Sequence, residues 1–281
     1  MITNYVHWGT DPEIFNFFGF SIRYYGLFFA AGIIIANYIL RWIFEKENIP
    51  EENLTKLSTY IIVGIFIGAR LGHCLFYEPT YYLSHPLEMI LPISFPSDGG
   101  IKFIGYQGLA SHGGVLGMVT AIYCYARKTK SSILKTMDLI AVVSGVTFGC
   151  IRLANFMNSE IIGMPTTKPW GIIFDRVDSL PRHPAQLYEA IAYFTIFAIL
   201  LILYNKINDK VKNGFFFGLG SLLFFMARII IEFIKENQVG FEEGMAFNMG
   251  QLLSLPYIVF GIGLLINAYY QKKSHHKLSK K

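Results

Sequence analysis

Seven apolar runs, at roughly 24–44, 58–77, 109–126, 133–154, 187–205, 214–234 and 248–270, alternate with polar segments along the chain. About 20 helical residues, at 1.5 Å rise each, cover the ~30 Å hydrocarbon core of a bilayer, so each run predicts a transmembrane helix. The third run is short and rich in Gly, and Pro256 interrupts the seventh. The longest connections are 78–108 and 155–186. Pro165, Pro169, Pro181 and Pro184 make the second a poor continuous helix. No repeat of 20–50 residues is visible, nor a pair of inverted broken helices of the kind transporters use.

Lys and Arg outside the runs set the expected orientation. With the N-terminus outside, the inner segments hold Lys46, Lys56, Arg127, Lys128, Lys130, Lys135, Lys206, Lys210, Lys212 and five tail lysines, Lys272, Lys273, Lys277, Lys280 and Lys281. The outer segments hold only Lys102, Lys168, Arg176, Arg182 and Lys235. This predicts N-out, C-in, with the Lys-rich tail around His275 and His276 as a solvated anchor and the two long connections forming a small extracytoplasmic cap. No basic segment with a cleavage-type run follows Met1, so no removable signal peptide is expected. The expected architecture is thus an all-α, seven-helix polytopic membrane protein, with residues 1–281 as one integral-membrane domain.

Composition agrees. Of 281 residues, 53% are hydrophobic and 15% charged, against about 25% charged in soluble domains. The net charge of +5 does not imply nucleic acid, because the basic residues form no stripe interleaved with aromatics. Cys74, Cys124 and Cys150 all lie in runs and form no CxxC pair, so neither a disulfide framework nor a zinc site is expected. No metal and no cofactor are expected.

Ionisable groups in hydrocarbon cost several kcal/mol on most estimates, so their placement is informative. Arg41 can snorkel from the inner end of the first run. Arg23, Arg70, Arg152 and Arg228 fall in the outer half, as do His112, Glu160, His183, Glu189 and Glu232. One layer of charge contributed by six helices points to a polar cavity facing one leaflet. Arg152, Asn155 and Ser159 share a helical face, and so do Arg228 and Glu232, a pair that could equally neutralise each other. Gly64, Gly68 and Gly72, like Gly113 and Gly117, are spaced at four and predict close backbone approach. Arginines at headgroup depth suit a phosphate ester, and a histidine adds a group that can take a proton near neutral pH. The physical reading stops at displacement on a phospholipid.

The motifs carry it further. Ser111-His112-Gly113-Gly114-Val115-Leu116-Gly117, Arg152-Leu153-Ala154-Asn155-Phe156-Met157-Asn158-Ser159-Glu160 and Arg182-His183-Pro184-Ala185-Gln186-Leu187-Tyr188-Glu189 resemble motifs of bacterial phosphatidylglycerol–prolipoprotein diacylglyceryl transferases. So do Ile22-Arg23-Tyr24-Tyr25-Gly26-Leu27, Gly68-Ala69-Arg70-Leu71-Gly72 and Arg228-Ile229-Ile230-Ile231-Glu232-Phe233. The resemblance implies a bacterial inner-membrane enzyme that moves the diacylglyceryl group of phosphatidylglycerol onto the lipobox cysteine of a preprolipoprotein. It implies Arg152 and Arg228 as the phosphate clamp, and His112 as either the base for the thiol or a group that positions lipid. Asn155, Asn158 and Glu160 would line the headgroup site and Tyr25 would contact lipid. His183, Gln186 and Glu189 would order the outer loop, and Gly113 and Gly114 would admit lipid to the backbone. Arg70 and Glu232 complete the expected substrate-binding set.

The chain departs from the family at Leu109-Ala110-Ser111 before the His, at Ala154 where Gly is common, and at Phe224 where Tyr is frequent. These leave the wall behind His112 and a hydroxyl near Arg228 in doubt. A lipid or anion transporter with the same cavity would show polar residues continuing to the inner face, where little stands beyond Asp138. A receptor-like seven-helix bundle shares only the span count.

Overall fold

The computed structural model describes residues 5–17, 20–95, 99–103, 108–236, 245 and 247–278. Lys280 and Lys281 of the basic tail lie outside the described residues, as do the side chains of Ser111 and of the tail from 271. The chain forms two compact units, Met1–Trp42 with Met137–Lys281, and Ile43–Thr136.

In chain order the elements begin with three strands, β1 (Val6–Trp8), β2 (Glu13–Phe17) and β3 (Phe20–Arg23), followed by α1 (Tyr24–Lys46) and α2 (Glu51–Phe76). Next come the short α3 (Pro79–Ser84) and α4 (Pro86–Ile90), β4 (Ile93–Ser94), β5 (Lys102–Phe103) and α5 (Ser111–Thr129). The chain continues with α6 (Ile133–Met157), β6 (Ile172–Phe174), β7 (Pro181–Arg182), α7 (Ala185–Ile207), α8 (Phe215–Glu232) and α9 (Met249–Leu278). Each of the seven apolar runs thus falls on a long helix. Six of these, α1, α2, α6, α7, α8 and α9, are long and apolar enough to cross a membrane, and the Gly-rich α5 is not among them. Helix α2 starts seven residues before its apolar run because Glu51 and Glu52 occupy its first turn, where the helix dipole favours acids. Helix α9 runs through Pro256 without a break, contrary to the expected interruption. One lost backbone hydrogen bond is a small penalty within a 30-residue helix of this apolar content.

The molecule is mainly helical but not all-α. In the first unit β1 pairs parallel with β6, which pairs antiparallel with β7. The β2–β3 hairpin leads into α1. Apolar periodicity did not predict these strands because β1 finds its partner about 165 positions away, and the Pro-rich connection carries no alternating pattern. The sheet is anchored to the end of α6. Phe156, Ile162 and Phe174 form a buried cluster against Trp8, Met157, Ile172 and Leu187, and the Trp8 indole donates to the Phe156 carbonyl at 3.2 Å. That anchoring fixes the helix end that carries Arg152 and Asn155.

Glycine spacing acts as expected. In the second unit a methyl on Gly64 would lie 2.6 Å from the Gly117 carbonyl oxygen, and one on Gly72 would lie 2.7 Å from Gly113 Cα. Helices α2 and α5 therefore touch backbone to backbone. In the first unit Gly145 bears on the Tyr193 carbonyl, joining α6 to α7, and Gly218 bears on the Gly261 carbonyl, joining α8 to α9.

Asp138 has a local explanation. Its buried carboxylate accepts from the backbone N–H of Gly214 (2.6 Å) and of Phe217 (2.8 Å), so it caps α8 from another helix. It is a cap and not a station on an ion path, which weakens the transporter reading. Asp138→Ala leaves two buried N–H groups without their acceptor and is expected to lower stability by roughly 2–3 kcal/mol. The check is the thermal midpoint of the purified variant in detergent; an unchanged midpoint refutes the capping role.

Candidate active site

The last turns of α6 begin the site. Arg152 directs Nε to the Glu189 carboxylate on α7 at 3.0 Å and Nη1 to Asn155 Oδ1 at 3.2 Å. Glu189 is fully buried, so its charge depends on that cation. The Asn155 amide donates to one Glu160 carboxylate oxygen at 3.1 Å, and the Asn158 amide to the other at 2.8 Å. Tyr25, at the start of α1, lies in the field of both Glu160 and Arg152. Most of the residues expected on and around the Arg152 motif are thus joined in one network.

The turn that presents Glu160 is held under strain. Ser159 and Ile161 both have positive φ, 54° and 56°, a conformation that is unfavourable for a β-branched residue. Two contacts hold it: the Gln186 amide donates to the Glu160 carbonyl at 2.5 Å, and the Glu160 N–H donates to the Asn155 carbonyl at 2.9 Å. Around this turn the buried Asn158 Oδ1, Ser159 Oγ and Gln186 Oε1 find no hydrogen-bond partner among the described residues. Each such atom left without a partner costs ~1–3 kcal/mol.

Arg228 on α8 belongs to the same unit. The Tyr193 hydroxyl, 3.5 Å from Glu189 Oε1, feels both Arg152 and Arg228. Arg228 Nε is buried and has no hydrogen-bond partner among the described residues. Glu232 does not neutralise Arg228. It binds Lys235 Nζ at 3.0 Å, and Lys235 also reaches Glu189 Oε1 at 3.5 Å. Lys235 is 2% exposed, a buried cation that the sequence reading counted only as an outer-loop charge. Its i, i+3 spacing from Glu232 was the available signal. Gly250 on α9 packs directly against this carboxylate, since a methyl there would lie 2.5 Å from Glu232 Cδ. Among the described residues no carboxylate is paired with Arg228.

His183 sits apart from Arg152, in the loop before α7. Its backbone pairs with Gly163 and Met164, and its ring shares a 3.2 Å hydrogen bond with the Tyr188 hydroxyl, which accepts from Trp170 Nε1 at 2.9 Å. Burial pushes the imidazole pKa down, with Lys168 adding to the effect, so the neutral form is favoured. Next to it, Arg182 chelates Asp178, reaches Glu236 at 3.1 Å and donates to the Gly163 carbonyl at 3.2 Å. Its hydrogen bond holds the Asp178 carboxyl below the usual range. These contacts order the loop that leads into α7, whose second residue is Gln186.

The second unit holds Arg70, His112, Gly113 and Gly114. Arg70 donates to the carbonyls of Glu88 (2.6 Å), Met89 (3.1 Å) and Gly108 (3.5 Å), and its guanidinium lies 4.8 Å from the Tyr82 ring centroid. The Glu88 carboxylate accepts from the Phe95 N–H and the Tyr81 hydroxyl, which hold its pKa down. Arg70 therefore ties 78–95 to the segment that enters α5. Gly108, at φ 78°, lies against the His73 ring where no side chain would fit. His112, exposed on the first turn of α5, lines a pocket of about 310 Å³ with Gly72, Tyr77 and Gly113.

A family model described as prolipoprotein diacylglyceryl transferase matches residues 12–267. A Bacteroides fragilis protein named phosphatidylglycerol–prolipoprotein diacylglyceryl transferase is 51% identical over 97% of this chain and 98% of its own. Proteins of the same name from Chloroherpeton thalassium and Porphyromonas gingivalis are 41% and 40% identical, over 96% and 94% of this chain and 96% and 95% of their own. With the match running nearly end to end, the chain belongs to the prolipoprotein diacylglyceryl transferase family.

Proposed function

We propose that the protein transfers the diacylglyceryl group of phosphatidylglycerol to the thiol of the lipobox cysteine of preprolipoproteins, the first step of bacterial lipoprotein maturation. The observation that carries this reading, beside family membership, is the Arg152–Glu189 pair joined to the Asn155–Glu160–Asn158 network, with an uncommitted Arg228 charge in the same unit. The cysteine sulfur attacks the glyceryl carbon and the carbon–oxygen bond to phosphate breaks. Glycerol 1-phosphate leaves with the electron pair, and the thiol proton passes to a base. Arg152 and Arg228 stabilise the phosphate as its leaving oxygen gains charge. Asn155, Asn158 and Glu160 hold the glycerol headgroup, Tyr25 contacts lipid, and Gln186 and Glu189 fix the turn and the arginine. His112 takes the thiol proton, because the thiolate is the nucleophile. Arg70 acts by holding the segment that enters α5, the helix whose first turn carries His112.

The whole chain is read as one integral-membrane domain of seven spans in the bacterial inner membrane, N-terminus outside and C-terminus cytoplasmic, with the site toward the outer leaflet. Its partners are phosphatidylglycerol and the exported lipoprotein precursor, with no cofactor and no nucleic acid.

The test gives purified protein phosphatidylglycerol and a lipobox peptide and follows the peptide's mass. Transfer adds one diacylglyceryl group to the cysteine, whereas no adduct alongside a working positive control overturns the reading. In the same assay His112→Gln is expected to slow transfer roughly 10²-fold, the usual worth of a positioned proton acceptor. A wild-type rate removes His112 from that role.

A further inference from the structure

An apolar groove of about 570 Å³ runs along the second unit between α2 and α5. Its floor is the bare backbone of the touching glycines, Gly64, Gly68, Gly113 and Gly117, and its walls are Val63, Ile67, Leu71 and Leu75 on one side and Leu116 and Thr120 on the other. It extends from Thr59 to Phe76 on α2, about 25 Å at helical rise. Of the hydroxyls that line it, on Thr59, Tyr60 and Thr120, the two threonine ones are turned back on their own helices. Thr59 Oγ1 donates to the Thr55 carbonyl at 2.9 Å and Thr120 Oγ1 to the Leu116 carbonyl at 2.9 Å. The groove merges with the pocket of His112, for Gly72, Phe76, Gly113 and Leu116 line both.

We infer that this groove seats one acyl chain of the lipid substrate, with its glyceryl end toward His112 and its terminal methyl beyond Thr120, and that its length selects chain length. The inference rests on the proposed transfer reaction. Three features favour an acyl chain over a peptide. The threonine hydroxyls along the trough serve their own helices, so an extended backbone would find little to pair with. The trough is lined almost wholly by apolar groups, as a hydrocarbon chain requires. It ends at the residue assigned to the thiol, and the glyceryl carbon must meet the sulfur there. Thr120 lies eight residues beyond His112, about 12 Å along α5. An ordinary membrane acyl chain spans the ~15 Å half-thickness of the hydrocarbon core and passes that point. A ten-carbon chain, scaled from the same length, reaches roughly 9 Å and stops short of it.

The test measures transfer from phosphatidylglycerol with 16-carbon chains and with ten-carbon chains, using the full-length enzyme in detergent. Thr120→Trp and, independently, Val63→Trp are expected to lower the 16-carbon to ten-carbon rate ratio at least roughly tenfold, the scale on which an apolar pocket discriminates length. Val259→Trp, at an exposed apolar position on α9 outside the groove, is expected to keep the wild-type ratio. The inference is overturned if both groove variants keep the wild-type ratio or lose both rates in parallel. It is also overturned if they raise the KM for the peptide and leave the ratio alone, which assigns the groove to the signal segment. Failure of the wild-type enzyme to transfer from either lipid removes the proposed reaction itself, an outcome distinct from these.

Discussion

Arg152→Ala and Arg228→Ala each reduce diacylglyceryl transfer to background. Preorganised cations act most strongly where charge develops on the leaving oxygen, and losing one such donor costs roughly 10²–10³ in kcat. The two arginines differ in what else they hold. Arg152 also neutralises the fully buried Glu189, so its removal strands a charge and carries a further ~3–5 kcal/mol of instability. Arg152→Lys separates these effects. It keeps a cation opposite Glu189 and therefore a folded protein, but loses the guanidinium fork that meets two phosphate oxygens at once. The expected result is a near-normal thermal midpoint with kcat still far below wild type. Arg228 has no carboxylate duty of that kind, since Glu232 is held by Lys235. Arg228→Ala should accordingly lose turnover with little loss of stability. Full activity in either alanine variant, measured by peptide mass with 16-carbon phosphatidylglycerol, overturns the clamp.

The second large effect is expected at Lys235, outside the residues the motifs point to. Lys235 lies between Glu232 and Glu189, and Glu189 in turn holds Arg152. In Lys235→Met two buried carboxylates face one remaining arginine, and breaking a buried ion pair costs ~3–5 kcal/mol. Arg152 is then drawn toward the excess negative charge and away from its set position, so kcat should fall by about tenfold or more at unchanged KM for the peptide. Two further variants distinguish a positioning role from simple instability. Lys235→Arg keeps the bridge and should recover most of the turnover. Glu232→Gln combined with Lys235→Met restores charge balance and should be more stable than Lys235→Met alone, a coupling that a double-mutant cycle reads directly. If the double variant is no better than the single, or if Lys235→Arg stays as slow as Lys235→Met, Lys235 does not position Arg152.

The legible and illegible parts of the molecule divide along a physical line. The long helices could be read because apolar run length is a local property, and their ends moved most where polar residues continue the helix past the apolar run, as at the acidic first turn of α2 and the basic end of α9. The glycine spacing announced the α2–α5 contact for a similar reason, since only bare backbone permits that approach. The network around Arg152 was foreshadowed by the i, i+3 spacing of Arg152 and Asn155 on one face of α6. The Pro-rich connection announced only that it was not helix. Its pairing with Val6–Trp8 had no local mark.

Charge was legible in kind but not in partnership. Arg152, Arg228, Arg70 and Lys235 are four cations with four different fates: one paired to Glu189, one with a buried N–H left over, one tied to three carbonyls, one between two carboxylates. Nothing in their spacing separates these fates, because each depends on residues from other helices or distant loops. The long apolar helices and the glycine contacts follow from the order of residues, since run length and small-residue spacing are local properties. Which cation pairs with which carboxylate followed only from the packed chain, because electrostatic pairing is settled by distances of about 3 to 4 Å, often between side chains that the sequence holds far apart.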